Sequence, residues 1–453
     1  MRRLATLIHV VAATTAWHAA DEFARLHAGA PPTTRRDRVR AEIERSVAQF
    51  DARPTPAATE ALVETLLAPE LRDSAVFIVD GKIFATAKFV KSSKKRGHAT
   101  MLASAIRDGG LPNVAWAHVP SADGSALGPP CINGTGYAVP TTVIAKREGY
   151  AQCGVLVPNP YFGRGDVGGA WRAAQARTRA AAAQHPTDTR DARAFWRGSC
   201  LNHETREGRT EKNKPGKAAT PDGSSPWGET TCERDAGNRA RMLAASLTAA
   251  RPDLFDVRCN RVAPPSNFSC VRGGARKEHD AARAAILNAP ATITDATWHE
   301  PHDYARYRYL VNLPGETSGS YSRNLNHLWA TGAVVLLWNA KIVEFYYPAL
   351  AVAESVGVVD RASAADLLDA LNADAAARAR LAEGALGIDR DFVCPECLHA
   401  YPRPRRNLPG VSEKSGFDRR RLRGIYVAAA AAPKSPVSTV CLRGISTSRP
   451  RPR

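Results

Sequence analysis

YRYLVNLPGETSGSYSRNLNHLWATGAVVLLWNAKIVEFYYPAL, residues 307–350, is the stretch whose reading decides the fold. Tyr309–Leu313 is a short apolar run of strand type, Gly315 and Gly319 punctuate a Gly/Ser-rich loop, Ser320–Ala330 can form a helix, and Ala333–Trp338 is a second buried run. The unit reads strand, loop, helix, strand. In such a unit the loop amides and the helix N-terminus point at whatever anion sits above the carboxyl end of the first strand.

Outward from that unit the same alternation continues. Arg35–Phe50 and Ala57–Leu67 read as helices, the second stopping before Pro69. Ala75–Val79 and Ile83–Ala87 read as a strand pair turning at Gly81, His98–Asp108 as helix, Val114–Val119 as a strand ending at Pro120, and Trp171–Gln184 as an alanine-rich helix. Alternating strand and helix implies a parallel α/β layer in this half. A second α/β half begins at Phe195 after the polar stretch Pro186–Arg193. Residues 201–236, rich in Lys, Gly, Pro, Thr and Ser, read as an inserted surface loop. Ala240–Ala250 is helical, and Ala364–Gly384 is a long Ala/Leu/Asp helix.

At 453 residues and 44% hydrophobic content, the chain can bury two ordinary cores. A net charge of +18 would suit a polyanionic partner. Much of that charge lies at the ends: RPRR, DRRRLR and SRPRPR follow Arg403, and Arg35–Arg40 is another basic patch. No aromatic side chains interleave with these arginines as a base-stacking surface requires, so nucleic acid is not the expected partner. Residues 402–453 are expected to be a basic, disordered tail.

MRRLATLIHVVAATTAWHAADE at the N-terminus has a short basic region and an apolar run from Leu4 to about Ala16. It reads as a secretory signal, either cleaved after a small residue such as Ala16 or Ala20, or kept as an anchor. No second run reaches spanning length. Nine cysteines fit an oxidising lumen in which most pair, and Cys394-Pro-Glu-Cys397 reads first as a structural disulfide because no second pair at zinc-ligand spacing is evident. Asn133-Gly-Thr and Asn267-Phe-Ser are glycosylation acceptors in that compartment.

Residues 307–350, together with FWRGS (Phe195–Ser199), EFYYP (Glu344–Pro348), LPNVAWAHVPSADG (Leu111–Gly124), VPNPYFG (Val157–Gly163) and DFVCPECLHAY (Asp391–Tyr401), resemble the protein O-glucosyltransferases. These are the Rumi-like enzymes of the capsule-associated-protein class, glycosyltransferase family 90. The resemblance covers most of residues 75–401 in the family's order. It implies a GT-B-like α/β fold in which two Rossmann-like domains face a cleft. Residues 1–20 would be the signal, 35–193 an acceptor-side domain and 194–401 a UDP-sugar-binding domain.

The implied activity is inverting, metal-independent transfer of glucose or xylose from UDP-glucose or UDP-xylose to a hydroxyl. No further cofactor is implied. The acceptor would be a protein or glycan hydroxyl, and the setting the lumen of the endoplasmic reticulum or Golgi, with the chain acting as a monomer. Such transfer needs a base for the hydroxyl proton and positive groups for the departing diphosphate. The resemblance places the base at Asp123, just after the strand Val114–Val119, and donor contacts at Ser199, Arg239 and the loop Ser318, Gly319, Ser320, Tyr321, Ser322 and Arg323. An Arg that grips a diphosphate with two parallel hydrogen bonds stands in for a metal. Glu344 is as much a structural residue as a sugar ligand. Alternatives are a capsule or cell-wall xylosyltransferase and a catalytically inactive glycan-binding secretory protein. Two further patterns are decoys: Gly163-Arg-Gly165-Asp-Val-Gly168, which follows prolines instead of a strand, and Asp389-Arg-Asp391, which follows a helix.

Overall fold

The computed structural model describes residues 22–23, 25–26, 34–48, 56–69, 71–91, 93–109, 113–119, 139–146, 149–150, 153–163, 169–200, 231–262, 288, 293–314, 324–339, 342–400 and 426–428. Helices α1 (Arg35–Val47) and α2 (Pro56–Leu67) lead into a hairpin of β1 (Ala75–Val79) and β2 (Lys82–Ala85). Asp80 and Gly81 make the two-residue turn, both at positive φ (49° and 70°), the conformation that Asp-Gly supplies at low cost. Helices α3 (Ala87–Lys91) and α4 (Ser93–Gly109) return the chain to β3 (Val114–Val119), followed by β4 (Thr141–Val143), β5 (Ala145–Lys146) and β6 (Val155–Leu156).

The first sheet runs in the order Tyr426–Ala428, β2, β1, β3, β4, β6. Among the described residues of this sheet, β3–β4 and β4–β6 are the parallel pairs, and β1 is antiparallel to both β2 and β3. The expectation of a parallel layer is therefore corrected to a mixed sheet. The tight Asp80-Gly81 turn leaves no room for a crossover, so β2 must run back against β1. Burial follows the two-residue period of a strand. Val76 and Ile78 pack with Phe89 and Leu102 on one face, and Ala75 and Phe77 pack with Val63 and Leu66 of α2 on the other.

Helix α5 (Gly169–Gln184) precedes the second sheet, built from β7 (Asp191–Cys200), β8 (Phe255–Val262) after α6 (Thr231–Ala250), β9 (Tyr307–Asn312), β10 (Val334–Trp338) after α7 (Leu325–Leu328), and, beyond β11 (Val343–Glu344), β12 (Gly357–Val359). Every pairing among β7, β8, β9, β10 and β12 is parallel, and their order is β8-β7-β9-β10-β12. Numbered along the chain this is 2-1-3-4-5, a doubly wound Rossmann-like sheet. Trp196, Val257, Tyr309, Val311, Val334 and Leu336 face α6 and the C-terminal helices α8 (Ala364–Ala373) and α9 (Ala375–Ile388). Phe195, Leu310, Val335 and Leu337 face the opposite way, into a core that also takes Val119, Val143 and Leu156 from the first half.

The molecule is thus α/β with two sheets that share a core. The two-stranded ladder of β5 with β11 ties the halves together, with Glu344 opposite Ala145 and Val343 opposite Lys146. Lys146 is buried and pairs with Glu42 of α1 at 3.1 Å. Three helix expectations change. The helix expected over Ala240–Ala250 starts earlier, at Thr231, and takes in residues 231–236 of the expected inserted loop. Instead of a helix over Ser320–Ala330, the described residues hold only Leu325–Leu328, tightening to a 3-10 turn over Trp329–Thr331 that Gly332 closes at φ 65°. Instead of one helix over Ala364–Gly384 there are two, because Asp374 leaves helical geometry and its side chain caps Ala377 N at 2.9 Å. Disulfides join Cys200 to Cys259 and Cys394 to Cys397, and Cys153 is also disulfide-bonded. Among the described residues no helix is long and apolar enough to cross a membrane.

Candidate functional site

In an open parallel sheet, ligands bind beyond the carboxyl ends of the strands where the winding reverses. Here that point lies between β7 and β9. β7 stays paired with β8 through Cys200 opposite Val262, whereas its ladder with β9 ends at Phe195 opposite Leu310. Past that pair β7 and β9 no longer bond, and the topology predicts a ligand crevice between them. Ser199 is the penultimate residue of β7, next to a register shift at Gly198/Ser199, and the Cys200–Cys259 disulfide fixes this end of the strand to β8. The other wall is the end of β9, where Asn312, Leu313 and Pro314 lead into residues 315–323.

The side chains beneath the crevice explain why FWRGS folds as it does. Phe195 is buried, stacked on Tyr307 at 3.8 Å between ring centroids and edge-on to Tyr304 at 5.0 Å. Arg197 is locked in place: it bonds Asp256 at 2.8 Å and Asp295 at 2.9 Å, with its guanidinium 4.4 Å from the Phe195 ring. It is a structural ion-pair centre. Gly198 sits against Trp196, where a Cβ would come within 2.4 Å of the indole.

Three further polar groups of this half stand out by burial or bonding. Arg241 of α6 is buried, donates from Nε to the Pro314 carbonyl at 2.9 Å, and lies 5.9 Å from the Trp196 ring. It holds the root of the loop that follows β9. Glu344 is buried where β11 crosses to the first half, and neither carboxyl oxygen has a hydrogen-bond partner of ordinary geometry among the described residues. Burial pushes its carboxyl up to about 8, against a smaller opposing contribution from the Asn326 side chain, so it is protonated at neutral pH. His327 of α7 lies against Trp171 at 4.6 Å, and burial, with a lesser push from Arg177, lowers it to about 4.

Asp123, Ser318, Gly319, Ser320, Tyr321, Ser322 and Arg323 lie outside the described residues. β3, which leads to Asp123, ends at Val119, and β9, which leads to Ser318–Arg323, ends at Asn312. Arg239 lies in α6, two residues before Arg241. The sequence reading did not reach Arg241, Asn312 or Asn326. The signal it passed over was a polar residue inside an otherwise apolar strand or helix face. The two decoys have structural explanations. Asp389 is buried against Arg179 at 2.6 Å and Asp391 pairs with Arg36 at 3.2 Å. At Gly163 a Cβ would approach the Gly97 carbonyl to 2.1 Å, so this glycine allows a 3-10 turn to press on α4.

No protein-family model matches this chain, and no curated protein matches it. Among solved structures, the C-terminal domain of a glycosyl transferase group 1 family protein from Francisella tularensis aligns with 16% identity and a TM-score of 0.23, covering 34% of this chain and 77% of that one. A likeness of that size carries no argument.

Proposed function

We propose that the chain is an inverting glycosyltransferase of the protein O-glucosyltransferase kind, moving glucose or xylose from a UDP-sugar to a hydroxyl acceptor. One observation carries this reading: the winding of the second sheet reverses between β7 and β9, so the crevice falls where FWRGS ends and the Gly/Ser-rich loop begins. The donor diphosphate would lie over that reversal, met by loop amides and by Arg323 or Arg239. Asp123, reached from the end of β3, would take the proton from the acceptor hydroxyl. The acceptor oxygen would then form its bond to the anomeric carbon from the face opposite UDP, the bond to the phosphate oxygen would break, and the configuration would invert. Arginine in place of a metal makes turnover independent of divalent cations. The disulfides support an oxidising lumen as the setting.

The test is donor recognition. Calorimetric titration of the full chain with UDP, UDP-glucose and UDP-xylose should show saturable binding, unchanged by EDTA, with Ser199→Ala and Arg323→Ala each at least tenfold weaker. Binding that is absent, or unaffected by both substitutions, contradicts the donor site.

A further inference from the structure

A second charged concavity lies at the other edge of the same sheet. A cavity of about 570 Å³ opens between the end of α5, the turn before β7, the Ala330–Gly332 turn before β10, and α9. It meets the strands at their amino ends. β10 is five residues long, which puts about 17 Å of strand between this cavity and the carboxyl edge where the crevice opens.

The cavity wall carries three guanidinium groups, from Arg179, Arg190 and Arg378. Arg179 is neutralised by Asp389 at 2.6 Å. The other two have no carboxylate partner among the described residues. Arg190 is 93% buried, being 7% exposed. It donates from Nε to the His185 carbonyl at 2.8 Å and weakly from Nη2 to Ala182 O at 3.5 Å, and its Nη1 has no acceptor among the described residues. Arg378 donates from Nη1 to the carbonyls of Leu371 and Asn372 at 2.5 and 2.8 Å. The backbone of Gly332 comes close beside Arg190: a Cβ there would lie 3.7 Å from Nη2.

Carbonyls at helix ends offer partial negative charge only, and a guanidinium taken out of water without an anion is costly. Burial alone shifts Arg190, downward, with no opposing charge. The two carboxylates at the rim do not fill the gap: Glu383 is engaged by Arg390 at 2.7 Å, and Asp188, also in the cavity wall, forms no ion pair with Arg190 or Arg378 among the described residues. A planar five-donor fork in a concavity of this size matches a small oxyanion.

We propose that this cavity is a second ligand site, for a phosphate- or carboxylate-bearing small molecule that supplies the counter-charge of Arg190 and Arg378. It is separate from the donor crevice and does not depend on the donor reading. Its occupant would touch the Ala330–Gly332 turn that closes the segment following the donor loop.

The test uses the full chain, titrated separately with inorganic phosphate and with malonate, each against chloride of matched ionic strength, following the thermal midpoint and the calorimetric heat. A saturable midpoint rise with either anion, lost in Arg190→Gln and in Arg378→Gln, is expected, and the stronger of the two anions identifies the class. Arg190→Lys keeps the charge at the helix end but lacks the fork. It should remain folded with at least fivefold weaker anion affinity, which keeps the test decisive if Arg190→Gln fails to fold. UDP affinity in all three variants should stay within twofold of the parent chain. The site is refuted by a response no greater than that to chloride, by a response equal in parent and variants, or by parallel loss of UDP affinity in the folded variants.

Discussion

Replacing Glu344 by Gln should stabilise the protein in alkaline solution and leave it nearly unchanged in acid. The side chain is buried at the β5–β11 junction, without an ion-pair partner among the described residues. A free glutamate ionises near 4.5, and burial moves this one to about 8. Because the folded chain holds the proton more tightly than the unfolded chain, unfolding releases it. The contribution is therefore intact below pH 4.5, falls as pH rises from 4.5 towards 8, and is flat above. A gap of about 3.5 pH units corresponds to at most about 5 kcal/mol, at 1.36 kcal/mol per unit. Gln matches the neutral acid in size and cannot ionise. Urea unfolding of both chains at pH 5 and pH 9 should give midpoints that agree at pH 5, with the variant more stable at pH 9 by as much as that amount. A variant less stable by the same margin at both pH values would refute the reasoning, since it would mean an ionised, paired carboxylate.

Three more outcomes follow from the packing. The imidazoles of His98 and His118 stack at 3.8 Å; burial lowers His98 to about 4, and burial, with lesser pushes from His98 and Lys95, also lowers His118 well below the ordinary histidine value. Stability should therefore be lost as pH falls from 6.5 to about 4, and His98→Phe should retain up to about 3 kcal/mol of it at pH 4, read by urea unfolding across that range. Arg241→Ala removes the buried bond to the Pro314 carbonyl and frees the root of the following loop. Steady-state kinetics should show donor KM raised about tenfold, a loss of about 1.4 kcal/mol, with kcat changed less. Gly384→Ala puts a Cβ 1.9 Å from the Glu354 carbonyl, so α9 must move off the segment before β12, costing at least about 2 kcal/mol by chemical denaturation.

Local signals in the sequence carried much of the fold. Apolar runs bounded by Gly and Pro located β9 and β10, Asp80-Gly81 announced the hairpin, and Val114–Val119 was read to the residue. Strand direction was less legible, because the two-residue period is the same for parallel and antiparallel neighbours; only the two-residue turn between β1 and β2 encoded the reversal. The break at Asp374 was visible as a helix-capping residue inside an alanine run, but it competes with high helix propensity on both sides. Near the candidate site, the position of Ser199 at the end of a strand was legible, since β7 closes at Cys200. Glu344 was singled out with its role left evenly divided between structure and sugar binding; its burial was hidden, since its pairing with β5 comes from a segment some 200 residues earlier and leaves no local trace. Arg241 was likewise hidden, because its partner is the Pro314 carbonyl on a distant strand end.

The most direct measurement is UDP release by the full chain, offered UDP-glucose and UDP-xylose in turn, with and without EDTA, alone and with a serine-bearing EGF-like repeat. Acceptor-stimulated release with one donor, unaffected by EDTA and abolished by Asp123→Asn while UDP still binds, is the predicted result. Release that persists at parent rates in Asp123→Asn, or no release together with no UDP binding, would contradict the assignment of this chain as a glycosyltransferase acting through Asp123 at the β7–β9 crevice.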